Sequence, residues 1–159
     1  MMNLPALAAR YARLAPKKAH VAFPLLIMAA FFWLSSLPGT LLPDDPDYYA
    51  LFYWISPSLQ NALHVPAYAV LAGAWRWVLG AWLRSSRAQT IGAWAIAVAY
   101  GVFDEWHQSF VPGRYASLTD IVLNVAGVAL GIWLAAWASR YVARSAKAVS
   151  ADDDQAHRR

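Results

Sequence analysis

Four long apolar runs separated by short polar intervals set the layout of this chain: Ala19 to Leu37, about Leu59 to Leu83, about Gln89 to Phe110, and about Ser117 to Tyr141. Each approaches or exceeds the roughly 20 residues that a helix needs to cross a bilayer core. The pattern predicts an all-α fold, an integral membrane four-helix bundle. Ser56 is placed to cap the second helix, with Pro57 in its first turn. Arg84 to Arg87 makes a tight connection, and Pro112-Gly113 turns the chain between the third and fourth helices.

The interval from Pro38 to Ser58 carries Asp44, Asp45 and Asp47 and then Tyr48, Tyr49, Phe52, Tyr53 and Trp54. Aromatic residues this dense beside Pro and Asp suit a short segment at the lipid headgroup level. The first run follows Arg10, Arg13, Lys17 and Lys18 and so has the outline of a signal peptide. Its length, and the lack of a small-x-small site in SSLPG, favour a retained first helix. The expected division is a basic tail over 1–18, a four-span membrane domain over 19–141, and a polar, disordered tail over 142–159.

Composition agrees with that layout. Of 159 residues, 60% are hydrophobic and 14% charged, and the mean hydropathy of +0.36 lies outside the usual soluble range. With no cysteine, disulfides, thiolate metal sites and cysteine nucleophiles are excluded. A net charge of +4 could suggest nucleic acid, but no Lys or Arg occurs between Lys18 and Arg76, and every Lys and Arg except Arg114 lies in the N-terminal tail, the second loop region or the C-terminal region. This is the placement of a topology signal, not of a nucleic-acid surface. It predicts a multi-pass protein of the inner (cytoplasmic) membrane with both termini cytoplasmic. Arg76, beside Trp75, Trp77 and Trp82, is then expected to reach out to the inner interface.

Helical period sorts the polar residues inside the runs. Asp120, Asn124, Gly127 and Gly131 share one face of the fourth helix; Gly101, Glu105 and Gln108 share one face of the third, with Asp104 and His107 about 100° round. Asn61, His64, Tyr68 and Ala72 align on the second. With Ser35 and Ser36 ending the first helix, these groups fall within roughly 10 Å of the outer interface at the helical rise. They are expected to converge on an outward-facing pocket.

Ionisable groups at membrane depth are costly and mark functional sites. Glu105, Asp120 and His64 are the candidate catalytic acid/base groups, at least one carboxyl keeping or sharing a proton in a partly dry pocket. Arg114 is a forked donor for a phosphate or carboxylate, unless it only neutralises Glu105 or Asp104. Gln108, Asn124, Tyr68, His107, Asp104, Ser35 and Ser36 complete the candidate ligand-binding set.

Structural readings stand beside these. Gly127 and Gly131 form a GxxxG pattern, suited to close helix packing or to a homo-oligomer. Ser117 to Asp120 is a capping-box pattern, in which Asp120 serves only the helix start. Asp104 can reach water, His64 can donate within the bundle, and Pro66 frees the carbonyl of Ala62. His64, Glu105, His107 and Asp120 show no recognised ligand spacing such as H-E-x-x-H, so no metal and no cofactor is predicted.

The ordered set Glu105, Gln108, Phe110, Pro112, Gly113, Arg114, Ser117, Asp120, Asn124, Gly127 and Gly131 resembles the pattern of the VanZ family, named for a member associated with resistance to the glycopeptide teicoplanin. His64 and Tyr68 in LHVPAY, and Ser35 and Ser36 before Pro38, match as well, so the resemblance covers about Phe31 to Trp137. Asn61 departs from it, standing where relatives often carry a Lys. The resemblance implies a role in the cell envelope, not a reaction.

Three functions follow as expectations. The first is a binding protein holding an amphiphilic or lipid-linked ligand, such as an envelope precursor or a lipophilic glycopeptide. The second is an intramembrane hydrolase or transferase acting on a lipid-linked precursor. The third, a transporter, lacks polar residues in the cytoplasmic halves of the helices to continue a pathway. Membrane lipid is an expected partner and nucleic acid is not.

Overall fold

The computed structural model describes residues 15–39 and 57–156, with side chains described over 15–39 and 59–145. The expected headgroup segment, the Ser56 cap and most of the basic tail lie outside these residues. Four α-helices and no strand occur among the described residues: α1 (Ala22–Ser35), α2 (Pro57–Val78), α3 (Ser86–Gln108) and α4 (Leu118–Ala156). A 3₁₀ turn over Lys18–Val21 leads into α1, and another over Leu79–Ala81 ends α2. Ser85 caps α3 by accepting the amide of Ala88 at 3.4 Å, which fixes where the chain turns back after α2.

Helix α4 runs on to Ala156, where a disordered tail was expected. The alanine-rich sequence after Tyr141 is a good helix former, and its polarity alone was a poor guide.

Among the described residues, two segments are long and apolar enough to cross a membrane, Lys18–Ser35 with mean hydropathy 1.5 and Leu118–Ser145 with 2.0. Helices α2 and α3 miss that standard because they carry the polar residues that the fold buries. Arg76, Asp104, Glu105 and Gln108 are all buried, whereas Val70, Ile91, Trp94 and Trp106 on the same helices are exposed.

The core is built around α2. Tyr68, Leu71, Ala72, Trp75 and Val78 pack against Ala93, Ala97 and Tyr100 of α3 and Val128 of α4. Small residues let α2 and α4 meet backbone to backbone: a side chain at Gly127 would strike the Val65 carbonyl, and one at Gly131 would strike the backbone of Ala69. The GxxxG face offered to a second copy is therefore occupied by α2 of the same chain. Helix α1 lies against this unit through Ile27, Met28 and Phe31, and the Tyr100 hydroxyl donates to the Met28 carbonyl at 2.6 Å.

Arg76 does not reach out to the interface. It is buried at 6% exposure, and its guanidinium donates to Thr90 Oγ1, the Ala135 carbonyl, Ser139 Oγ and Ser86 Oγ at 3.1 to 3.2 Å. A planar fork with five N–H groups can serve acceptors on several helices at once, and here it fastens α2 to α3 and α4 at the end opposite the polar cluster.

Candidate functional site

At the other end of the bundle, the start of α2, the end of α3 and the start of α4 come together. His64 lies two turns into α2, Glu105 one turn before the end of α3, and Asp120 and Asn124 in the first two turns of α4. One nitrogen of His64, one oxygen of Glu105 and one of Asp120 lie within 4.8 Å of one another. Glu105 is 1% exposed, Asn124 2% and Asp120 9%.

The helix start at Ser117 explains how Asp120 comes to face this cluster. Ser117 Oγ accepts the Asp120 amide at 3.4 Å, which is one half of a capping box. In the usual box the carboxylate would accept the Ser117 amide in return. Here Glu105 Oε2 accepts it, at 3.1 Å, from across the turn. Asp120 is released from the capping duty, and its Oδ1 is buried with no hydrogen-bond partner among the described residues. Glu105 Oε1 and Asn124 Nδ2 are in the same condition.

Asn124 holds the imidazole. Its Oδ1 lies 2.7 Å from His64 Nδ1, and because an amide oxygen only accepts, Nδ1 carries the hydrogen and donates it. Any lone pair that the ring offers is then on Nε2.

A second layer surrounds Asp104. Tyr68 Oη and Gln108 Nε2 both donate to Asp104 Oδ2, at 3.4 and 3.3 Å, and Asp104 is 4% exposed. It does not reach water as expected; its position one helical step from Glu105 points it between α2 and α3. Gln108 continues the chain outward, its Oε1 accepting from Arg114 Nη1 at 3.3 Å. Arg114 Nε donates to the Leu37 carbonyl at 2.9 Å. The guanidinium is thus braced by neutral acceptors and does not spend its charge on Glu105 or Asp104.

These groups line a cavity of about 650 Å3 whose wall includes Ser35, His64, Tyr68, Asp104, Gln108, Arg114 and Asp120, with Phe31, Leu34 and Leu63 supplying apolar surface. The loop closing it is tied twice to the end of α1, by Arg114 and by the Gly39 amide donating to the Pro112 carbonyl at 2.8 Å. Gly113, at φ 73°, takes the left-handed conformation that this turn requires.

Residues 20–139 match the family model described as VanZ/LLP1, which spans every residue of the cavity wall. The chain belongs to the VanZ/LLP1 family. Neither a curated protein nor a solved structure matches it. Within this VanZ/LLP1 domain, Glu105, Asp120 and His64 are brought together; Asn124 supports them, and Ser35, Tyr68, Asp104, Gln108 and Arg114 lie on the cavity wall.

His107 and Ser36 take another course. The His107 ring stacks on Phe32 with centroids 4.4 Å apart, and its Nε2 lies 3.0 Å from Ser36 Oγ, outside the cavity wall. The 100° step from Gln108 turns His107 toward α1 and away from α2. Two functional groups escaped the sequence reading: the Ser117 amide, because any residue has one, and the Leu37 carbonyl, for the same reason. The inward turn of Arg76 was signalled by Ser86, Thr90 and Ser139, hydroxyl residues placed to meet it on α3 and α4.

Proposed function

We propose that this VanZ/LLP1 protein is a multi-pass protein of the inner membrane, both termini cytoplasmic, whose outward pocket takes a lipid-linked envelope precursor by its anionic head and acts on it as a hydrolase or transferase. The distribution of side chains supports the membrane setting. Phe23, Val70, Ile91, Val122 and Trp133 are exposed while Arg76, Glu105 and Asn124 are buried, the reverse of what water selects. The placement of Lys and Arg supports the orientation.

One observation carries the chemical part: Glu105 and Asp120 present unpartnered oxygens to an imidazole held by Asn124, beside a cavity with a braced guanidinium. A pocket that only held an anion would gain from Arg114 and lose from the nearby carboxylates through repulsion. Reacting groups account for both. In this reading Arg114 and Gln108 position the head, the apolar wall takes the start of the lipid tail, and the His64, Glu105 and Asp120 cluster handles the proton or water of the transfer. Altering the pool of lipid-linked precursors would connect such an activity to resistance against lipophilic glycopeptides such as teicoplanin.

The test is incubation of the purified full chain, in lipid nanodiscs, with a panel of lipid-linked envelope precursors followed by mass spectrometry. A product lacking the head group, or carrying a transferred one, is expected. Precursor that binds and returns unchanged across the panel would leave a binding protein and reject the enzyme.

A further inference from the structure

His64, Glu105 and Asp120 have no local motif in common, since each comes from a different helix. We propose that His64, Glu105 and Asp120 form a binding site for a divalent cation of the first transition row, with Asn124 as the residue that orients His64.

Distance comes first. Donors about 2.1 Å from a shared tetrahedral ion lie roughly 3.4 Å apart. One nitrogen and two oxygens already within 4.8 Å of one another close on an ion with small side-chain rotations. Such a gathering of titratable groups is common in proteins, so the state of the individual atoms decides the matter.

Glu105 Oε1 and Asp120 Oδ1 are buried with no partner among the described residues, in side chains more than nine-tenths buried. Each of these carboxylates is left half satisfied: Glu105 has one oxygen on the Ser117 amide, and Asp120 has had its cap taken by Glu105. Leaving buried acceptors unmet is costly unless something occupies them. Nearby, His64 Nδ1 donates to Asn124 Oδ1 at 2.7 Å. A metal-binding histidine commonly donates its other ring N–H to an oxygen acceptor, which fixes the tautomer and leaves the opposite lone pair for the ion. Asn124 supplies that arrangement.

Charge points the same way. Two carboxylates this close repel, and a dication neutralises the pair while an anionic head approaches from the Arg114 side. The cation's contact with that head rests on the function proposed above; its binding to the three side chains does not. One imidazole and two carboxylates, in a chain without cysteine, suit Mn²⁺, Co²⁺ or Zn²⁺. Three protein ligands leave further coordination positions for water or for an oxygen of the head, the pattern of a site that acts rather than one that only braces the fold.

The experiment uses the full chain purified in nanodiscs, stripped with chelator, and titrated with Mn²⁺, Co²⁺ and Zn²⁺ by calorimetry. One ion per chain is expected for at least one metal, with affinity falling more than tenfold in His64→Ala and in Asp120→Asn, and unchanged in His20→Ala, a histidine at the other end of the bundle. Pulsed electron paramagnetic resonance on the Mn²⁺-loaded wild type should detect a directly coordinated imidazole nitrogen, a readout that holds even where a variant fails to fold. Absence of binding to all three metals at millimolar concentration overturns the site, as does equal affinity in folded His64→Ala and Asp120→Asn. Metal bound at these residues without turnover of any precursor keeps the site and removes the enzymatic reading. Turnover that persists in metal-free protein with chelator present keeps the enzyme and overturns the cation's contact with the head, while the titration alone decides the site.

Discussion

Glu105 accepts the backbone amide of Ser117 at 3.1 Å and thereby completes, from α3, the cap at which α4 begins. The carboxylate joins two helices through one oxygen and leaves the other without a partner among the described residues, in a side chain clustered with His64 and Asp120. Structure and chemistry are divided between the two oxygens of a single side chain.

Glu105→Gln separates these duties. The amide oxygen still accepts from Ser117, so the unfolding midpoint should move little, whereas the charge facing His64 is gone. Turnover of a lipid-linked precursor is expected to fall by about 100-fold or more, in the range found when a positioned acid or base is removed. Thermal unfolding and product formation on the same preparation check the two halves.

Arg114→Lys keeps a positive charge but loses the planar fork that binds Leu37 and Gln108 while presenting its remaining N–H groups to the cavity. Its effect should fall on substrate binding, with KM raised about tenfold, the equivalent of about 1.4 kcal/mol. A kcat that fell with KM unchanged would place Arg114 in the reacting step instead.

Gly131→Ala places a methyl group against the backbone of Ala69. Main chain cannot swing aside as a side chain can, so α2 and α4 must separate, at a cost of about 1 to 3 kcal/mol. Denaturant titration of the purified protein measures it. Gly73→Ala, where an added methyl would meet only the Gly131 carbonyl at 4.0 Å, should be close to neutral in the same assay.

Arg76→Lys retains the charge and cannot satisfy acceptors on both α3 and α4 at once. Stability is expected to drop by about 1 to 2 kcal/mol, with hydrogen bonds to a charged group lost. Because Arg76 is at the far end from the cavity, KM for the precursor should stay within twofold, provided the variant is assayed below its unfolding transition.

Helical spacing and the order of the apolar runs were enough to expect His64, Glu105 and Asp120 at one end of the helices, because both are properties of the chain read locally. The family pattern was legible for the same reason, in its ordered motif from Glu105 to Gly131. Direction at finer grain was not. His107 and Gln108 are neighbours in sequence, yet one stacks on Phe32 and the other lines the cavity, and the difference depends on where α1 packs. Asp104 could have reached water from its place near the helix end; the hydroxyl of Tyr68 and the amide of Gln108 that hold it inside belong to the tertiary structure. Asp120 looked like a cap because its spacing from Ser117 is that of a cap, and only the arrival of Glu105 from another helix releases it.

The glycine seam between α2 and α4 bears on the durability of the site. His64 lies one residue before Val65, whose carbonyl rests over Gly127, and Asn124 lies three residues before that glycine. The spacing between imidazole and amide is therefore gauged by two main chains in contact, as a machined joint is gauged by its faces. Helices that meet through side chains, as α1 meets the others through Ile27, Met28 and Phe31, have more room to shift. The distance from His64 to Asn124 is inherited from the peptide backbone, and it holds for as long as those two main chains stay in contact.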